Sequence, residues 1–258
     1  MKYFMVDAFT DRLFGGNPAG VCLLEKPIDA AIMQKIAYEN NLSETAFVLK
    51  RDGYYDLKWF TPEMEIDLCG HATLGSAFVL TNFVDRNLQT VDFKTLSGIL
   101  TVRKAGESLI MDFPRRMPVP CAKPANLEKA LGVKVLETHQ SRDMLVLVEN
   151  ESDVMDMTPD FQLLKEMDDI FAFIVTAKGS DCDFVSRFFI PNAGINEDPV
   201  TGSAHSTLIP FWSERLGKTE MTARQLSKRG GVLSCKSSGE RVEIGGKAAL
   251  YLTGEINL

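Results

Sequence analysis

The chain has 258 residues, 45% of them hydrophobic and 24% charged, an ordinary globular composition with enough apolar mass for one or two cores. Its 28 basic and 35 acidic residues give a net charge of −7, which argues against nucleic acid or an anionic membrane as partner. No stretch approaches 18 uninterrupted apolar residues, and MKYFMVDAFTDR at the start lacks a signal-peptide apolar run, so the expected location is the cytoplasm. The five cysteines, Cys22, Cys69, Cys121, Cys182 and Cys235, lie 47 to 61 residues apart, a spacing that suits reduced thiols and neither a disulfide framework nor a zinc knuckle.

Short runs rich in β-branched and aromatic residues, bounded by Gly, Pro, Asp or Asn, predict strands over 3–9, 19–24, 45–49, 54–60, 91–95, 99–103 and 109–113. The second half predicts the same over 133–138, 145–149, 170–177, 183–190, 232–235, 241–244 and 248–252. Asp29 is placed to cap a helix reaching Asn40, with Ile32, Ile36 and Ala37 on one face. Pro124–Leu131 and Pro159–Met167 read as short surface helices.

Two further helices are apolar nearly all round, as for a helix enclosed by protein. One starts at Gly70-His71, the other at Gly202-Ser203. Pro210 should remove one hydrogen bond from the second. Phe60-Thr61-Pro62, an acidic loop and Gly70-His71-Ala72 precede the first; Phe189-Ile190-Pro191, a loop through Asp198 and Gly202-Ser203-Ala204 precede the second. The glycines stand 132 residues apart, which suggests two similar halves meeting near the proline-rich 114–124.

A helix N-terminus offers amide N–H groups and a positive dipole end to an anion, and a glycine there lets the ligand come close. His71 and Ser203 occupy the same slot after their glycines, and both can donate a hydrogen bond. Taken singly, each reads better as a turn glycine with a helix cap; the pairing shifts the balance toward an anion cradle. Glu44 sits between an amphipathic helix and an apolar strand, where a partly dehydrated carboxylate is a better proton shuttle. Asp198 is a second acid/base candidate or a helix cap. Of three histidines, His71 and His205 lie in the two special motifs; His205 reads as a hydrogen-bonded core residue and His139 as solvent-facing. Cys69, His71, His205 and Asp198 are metal-ligand types, yet without HxxxH or CxxC spacing the expectation is no metal.

The segments VDAFTDRLFGGNPAGVCLL (6–24), NNLSETAFV (40–48), KWFTPEMEIDLCGHATLGSA (58–77), LSGIL (96–100), NEDPVTGSAH (196–205) and SKRGGVL (227–233) together resemble the phenazine-biosynthesis PhzF-like family over almost the whole chain. The resemblance implies an α+β, diaminopimelate-epimerase-like fold: two similar domains, each a mixed rolled sheet around a central helix. The expected domains are 1–114 and 115–258, with the last strand a candidate to return to the first domain and the active site in the cleft between them. It implies a cofactor-free biosynthetic isomerase, commonly a homodimer, acting on a small carboxylate by acid/base proton transfer. Glu44, Asp198 and His71 match the family's catalytic residues, Gly70, His71, Gly202 and Ser203 its substrate-binding positions, and Gly16, Asn17 and Pro18 its GNP turn. Related racemases use one cysteine from each half. Cys69 matches the first, with a pKa expected to fall at its helix end; Thr201 or Pro199 stands in the mirror position. The rival expectations are an epimerase using Cys69 and a non-catalytic carboxylate-binding protein.

Overall fold

In chain order the computed structural model, which describes all 258 residues, begins β1 (Lys2–Ala8), β2 (Asn17–Leu24), α1 (Ala30–Asn40), β3 (Glu44–Lys50), β4 (Tyr55–Phe60), β5 (Glu65–Ile66) and α2 (Gly70–Val79). A π-helical turn over Leu80–Val84 leads to β6 (Thr90–Thr95), β7 (Gly98–Ala105) and β8 (Ser108–Pro114). Then come β9 (Val119–Pro120), α3 (Leu127–Leu131), β10 (Glu137–Gln140), β11 (Met144–Leu147), α4 (Glu151–Asp156), α5 (Phe161–Lys165), β12 (Phe173–Lys178) and β13 (Phe184–Phe189). A 3-10 turn at Pro191–Ala193 precedes β14 (Glu197–Asp198), α6 (His205–Leu216), β15 (Glu220–Gln225), β16 (Gly231–Ser238), β17 (Arg241–Gly246) and β18 (Ala248–Glu255). These elements divide into two units, Met1–Asp112 with Gly245–Leu258, and Phe113–Ile244. No helix is long and apolar enough to cross a membrane.

The first unit pairs β1 with β2 antiparallel, β2 with β3 parallel, β3 with β4 antiparallel, β4 with β6 parallel and β6 with β7 antiparallel. The second runs through the same alternation: β10–β11, β11–β12, β12–β13, β13–β15 and β15–β16. In each, a two-residue strand before the central helix, β5 or β14, shares an edge with the strand that follows the helix. The halves are thus topological repeats. β18 pairs along the whole of β1 and completes the first unit.

Each unit surrounds its central helix. Nine of the ten residues of α2 are buried, Phe78 being the one exception, because β1, β2, β3 and β18 all pack on it. Gly75 lets it lie close: a Cβ there would already touch Val6 and Ala19 at 3.7–3.8 Å. On the other face of this sheet α1 covers Cys22, Phe47 and Phe60; Asp29 caps it, accepting from the Ala31 N–H at 2.7 Å. In α6 the buried residues run from His205 to Trp212. Pro210 has no N–H for the Ser206 carbonyl, and that carbonyl accepts the Arg116 N–H at 2.9 Å instead. α3, α4 and α5 close a separate core built on Val146, Phe173, Val175, Val185 and Phe189.

The strand expected over 133–138 is displaced to Glu137–Gln140. Val135 is drawn into the core beside α3, its N–H bound by the Glu128 carboxylate at 2.9 Å, and regular pairing starts only after Leu136, whose N–H donates to the Leu147 carbonyl at 2.9 Å. β15 escaped notice because EMTARQ alternates buried and exposed residues through Met, Ala and Gln rather than through β-branched ones. The second central helix opens later than Gly202: His205, Ser206 and Thr207 donate to carbonyls three residues back, which makes 202–204 a 3-10 turn leading into α6.

Two positions allow direct tests. Phe9 is buried in a left-handed conformation (φ 62°), with its ring over Gly246, where a Cβ would fall 2.5 Å from the Phe9 ring. Gly246→Ala is expected to cost about 1–3 kcal/mol in urea unfolding, and Phe9→Leu in the same chain to recover part of it. His205 is fully buried, with Nδ1 donating to the Thr201 carbonyl at 2.9 Å and Nε2 unpartnered; burial pushes its pKa down to about 4. The unfolded chain therefore takes up this proton first as pH falls. Stability is expected to drop between pH ~6.5 and ~4, by up to roughly 3 kcal/mol, and that slope to shrink in His205→Gln measured by urea titration.

Candidate active-site clusters

The first cluster is built by the ends of three elements of the first unit. Between β1 and β2 the chain turns through Gly16 (φ 62°), where a Cβ would overlap the Ala8 carbonyl oxygen at 2.1 Å. The buried Asp7 carboxylate braces this turn by accepting the Phe14 N–H at 2.9 Å. The turn delivers Asn17, fully buried, to the start of β2, with its Nδ2 3.1 Å from His71 Nδ1. Glu44 opens β3, which runs parallel to β2 with Ala19 opposite Glu44. His71 is the second residue of α2 and is 5% exposed.

The imidazole is flanked by acid on one side and thiol on the other. His71 Nε2 lies 3.1 Å from Glu44 Oε2, at ion-pair distance though off the line of a hydrogen bond. Cys69 Sγ lies 3.6 Å from Nδ1. Burial opposes a charge on His71, yet the Cys69 sulfur and the Glu44 carboxylate together hold its pKa well above the ordinary histidine range. For Cys69 the expectation of a lowered pKa is overturned: burial and then the Glu44 charge push the thiol up, against His71 and the Ala72 amide. A side chain 6% exposed gains less from a helix end than it loses in hydration.

Cys69, His71 and Glu44 offer ligand atoms within 4.8 Å of one another, a set compatible in type with zinc. The thiol, however, approaches one ring nitrogen and the carboxylate the other. That arrangement suits a proton-bearing relay better than a single shared ion. The amide N–H groups of Gly70 and His71 head α2 and have no acceptor within the helix.

The second cluster lies in the second unit. Thr201 Oγ1 and Asp198 Oδ2 are 2.5 Å apart, and Thr201 is followed by the buried Gly202 and the half-buried Ser203. Gln225, fully buried at the end of β15, accepts the Thr201 N–H at 2.8 Å and donates to the Asp198 carbonyl at 2.8 Å. Of the residues singled out in the sequence, Asn17, Glu44, Gly70 and His71 form the first group, and Asp198, Gly202 and Ser203 the second. Gln225 was missed, since a lone glutamine ending an alternating strand carries no chemical signature. His139 is corrected: it is 8% exposed, with Nε2 2.8 Å from Glu137 and its ring edge-on to Phe211 at 5.1 Å. Both central residues of β10, Thr138 and His139, are buried, and Phe211 of α6 covers the His139 ring.

Comparison with known proteins matches residues 6–254 to the family described as phenazine biosynthesis-like protein. A protein of Pseudomonas aeruginosa described as an uncharacterized isomerase is 52% identical over 258 residues, 100% of this chain and 99% of that protein. The crystal structure of a phenazine biosynthesis protein of the PhzF family from Enterococcus faecalis superposes with a TM-score of 0.98 at 49% identity, covering 100% and 99% of the two chains. A probable proline racemase from Agrobacterium radiobacter shares the fold alone, with a TM-score of 0.66 at 11% identity over 100% and 93% of the chains. The architecture is accordingly the α+β, diaminopimelate-epimerase-like one, and the chain belongs to the phenazine biosynthesis-like, PhzC/PhzF family of isomerases.

Proposed function

We propose that the protein is a cofactor-independent isomerase that moves a proton within a small unsaturated or cyclic carboxylic or amino acid, with Glu44 as the acid/base group. The observation that carries this reading is the Glu44 carboxylate set 3.1 Å from His71 Nε2 at the start of the buried helix α2, where the Gly70 and His71 amides have no acceptor within the helix. Those amides and the His71 ring suit an anion, and the reading seats the substrate carboxylate there. By family resemblance, Gly202 and Ser203 are further substrate donors and Asp198 the group that holds or protonates a neighbouring polar substituent. Asn17, turned onto the His71 ring, holds that ring in place.

In this mechanism Glu44 takes a C–H proton next to a conjugated system. The electron pair left behind shifts the adjacent double bond, and the negative charge spreads toward the carboxylate, where fixed amide dipoles stabilise it. Glu44, now protonated, returns the same proton at the far end of the shifted double bond. Atoms and charge balance without a cofactor. A cytoplasmic location, from the sequence pattern, and a homodimeric state, from family resemblance, belong to the same proposal.

A second reading has one observation in its favour: Cys69 Sγ lies within reach of His71 Nδ1, so an epimerase could use the thiol as its acid. The two separate by mutation. After an NMR proton-exchange screen of small unsaturated and amino carboxylic acids finds a substrate, Glu44→Gln is expected to lower turnover at least ~10²-fold while Cys69→Ser stays near wild type. Loss of turnover in Cys69→Ser, with solvent deuterium entering at an inverted centre, would replace the isomerase by the epimerase. In the isomerase, the transferred hydrogen is expected to be largely retained at the new C–H position in deuterated solvent, without racemisation of any existing centre, read by NMR and chiral chromatography.

A further inference from the structure

The segments after β6 and β15, Leu96-Ser97-Gly98 and Leu226-Ser227-Lys228, have no place in the mechanism above, yet the fold puts them at equivalent points. Phe93 of β6 is opposite Tyr55, five residues before Phe60; Ala223 of β15 is opposite Phe184, five residues before Phe189. Ser97 and Ser227 each follow four residues later. Ser97 Oγ donates to the Asp67 carbonyl at 2.8 Å, and Ser227 Oγ to the Pro199 carbonyl at 2.7 Å. Asp67 stands three residues before Gly70, and Pro199 three before Gly202. The same hydroxyl therefore holds the same carbonyl in both repeats, just ahead of the glycine at each helix entrance.

The second unit adds Gln225. β14 and β15 lie end to end along one edge of β13, which leaves a break in the ladder at Arg187. Gln225 fills it. Its orientation is fixed by backbone on both sides, since the Thr201 N–H can only donate and the Asp198 carbonyl can only accept. Its Nε2 also reaches Thr201 Oγ1 at 3.2 Å, the hydroxyl paired with the Asp198 carboxylate. Ser227 is itself braced by the Gly230 N–H at 3.1 Å. In the first unit Thr95 stands where Gln225 does and caps its own turn, donating to the Gly98 carbonyl at 2.9 Å.

We infer that Gln225 and Ser227 are positioning residues that set the Asp198–Ser203 segment for anion binding, and that Ser97 is the lighter counterpart for Asp67–His71. This rests on the anion-cradle reading of the proposed function. The test uses the full chain, backbone amide exchange by NMR, and benzoate as the carboxylate probe. Gln225→Met, which keeps bulk but leaves the Thr201 N–H without an acceptor, is expected to speed exchange at 201–203 at least tenfold and weaken benzoate about tenfold. Ser227→Ala is expected to act on the same amides, and Ser97→Ala on 67–71 by a few-fold only. Ser227→Thr, which retains the hydroxyl, is expected to restore both readouts.

Unchanged exchange and affinity in Gln225→Met and Ser227→Ala would overturn the inference. So would acceleration spread equally over all strands, which marks general destabilisation. Should wild type fail to bind benzoate while the variants still loosen their own segments, the anion-cradle reading falls and the positioning of the loops stands.

Discussion

A helix enclosed by protein on every side must still find a use for the amide groups of its first turn. In α2 those groups belong to a glycine and a histidine, and the strands that bury the rest of the helix leave no carbonyl in position to accept them within the helix itself. Buried first-turn amides of this kind favour a hydrogen-bond acceptor. Three groups surround that entrance: β3 begins with a carboxylate beside the histidine, β2 begins with an amide braced against the ring, and the cap residue is a thiol whose pKa burial pushes up. The charges are few, close and poorly hydrated, the condition under which proton affinity is most sensitive to a bound ligand.

The repeated topology explains how such an arrangement arises twice. Five successive strand pairings alternate antiparallel and parallel in both units, and the short strand before the helix borrows an edge from the strand after it. That borrowed edge fixes where the loop enters the helix. The two units fill the frame with different chemistry: Cys69 and His71 in one, Thr201 and Ser203 in the other. The frame is thus repeated while the groups it carries are not, and Cys69 has no thiol counterpart at Thr201.

Much of this was legible in the residues. The all-round apolar helices, the Phe-x-Pro and Gly-x-Ala spacing, and the Asp29 cap follow from local physical rules, and they foretold the enclosed helices and the repeat. Less legible were features that depend on distant partners. Glu44 is close to His71 only because β2 and β3 run parallel, and nothing in NLSET announces that pairing. His139 carries a polar neighbourhood in sequence yet is covered by Phe211 from α6. The Cys69 thiol was misjudged because a helix end is visible in sequence and the depth of burial is not. Gln225 and β15 were invisible for the simplest reason: their alternation is carried by Met, Ala and Gln, which signal no strand.

The closing strand of the first unit has a consequence for synthesis. β18 flanks β1 from 248 to 255, and the Met1 nitrogen donates to the Ile256 carbonyl at 3.1 Å, so residues up to 255 positions apart meet. A nascent chain still on the ribosome carries Asn17, Glu44 and His71 long before it carries the edge that encloses their helix. The intervening unit can assemble from contiguous residues, while the earlier-made one waits for its last strand. Until β18 is made, the β1 edge is unpaired and α2 lacks one of the strands that enclose it.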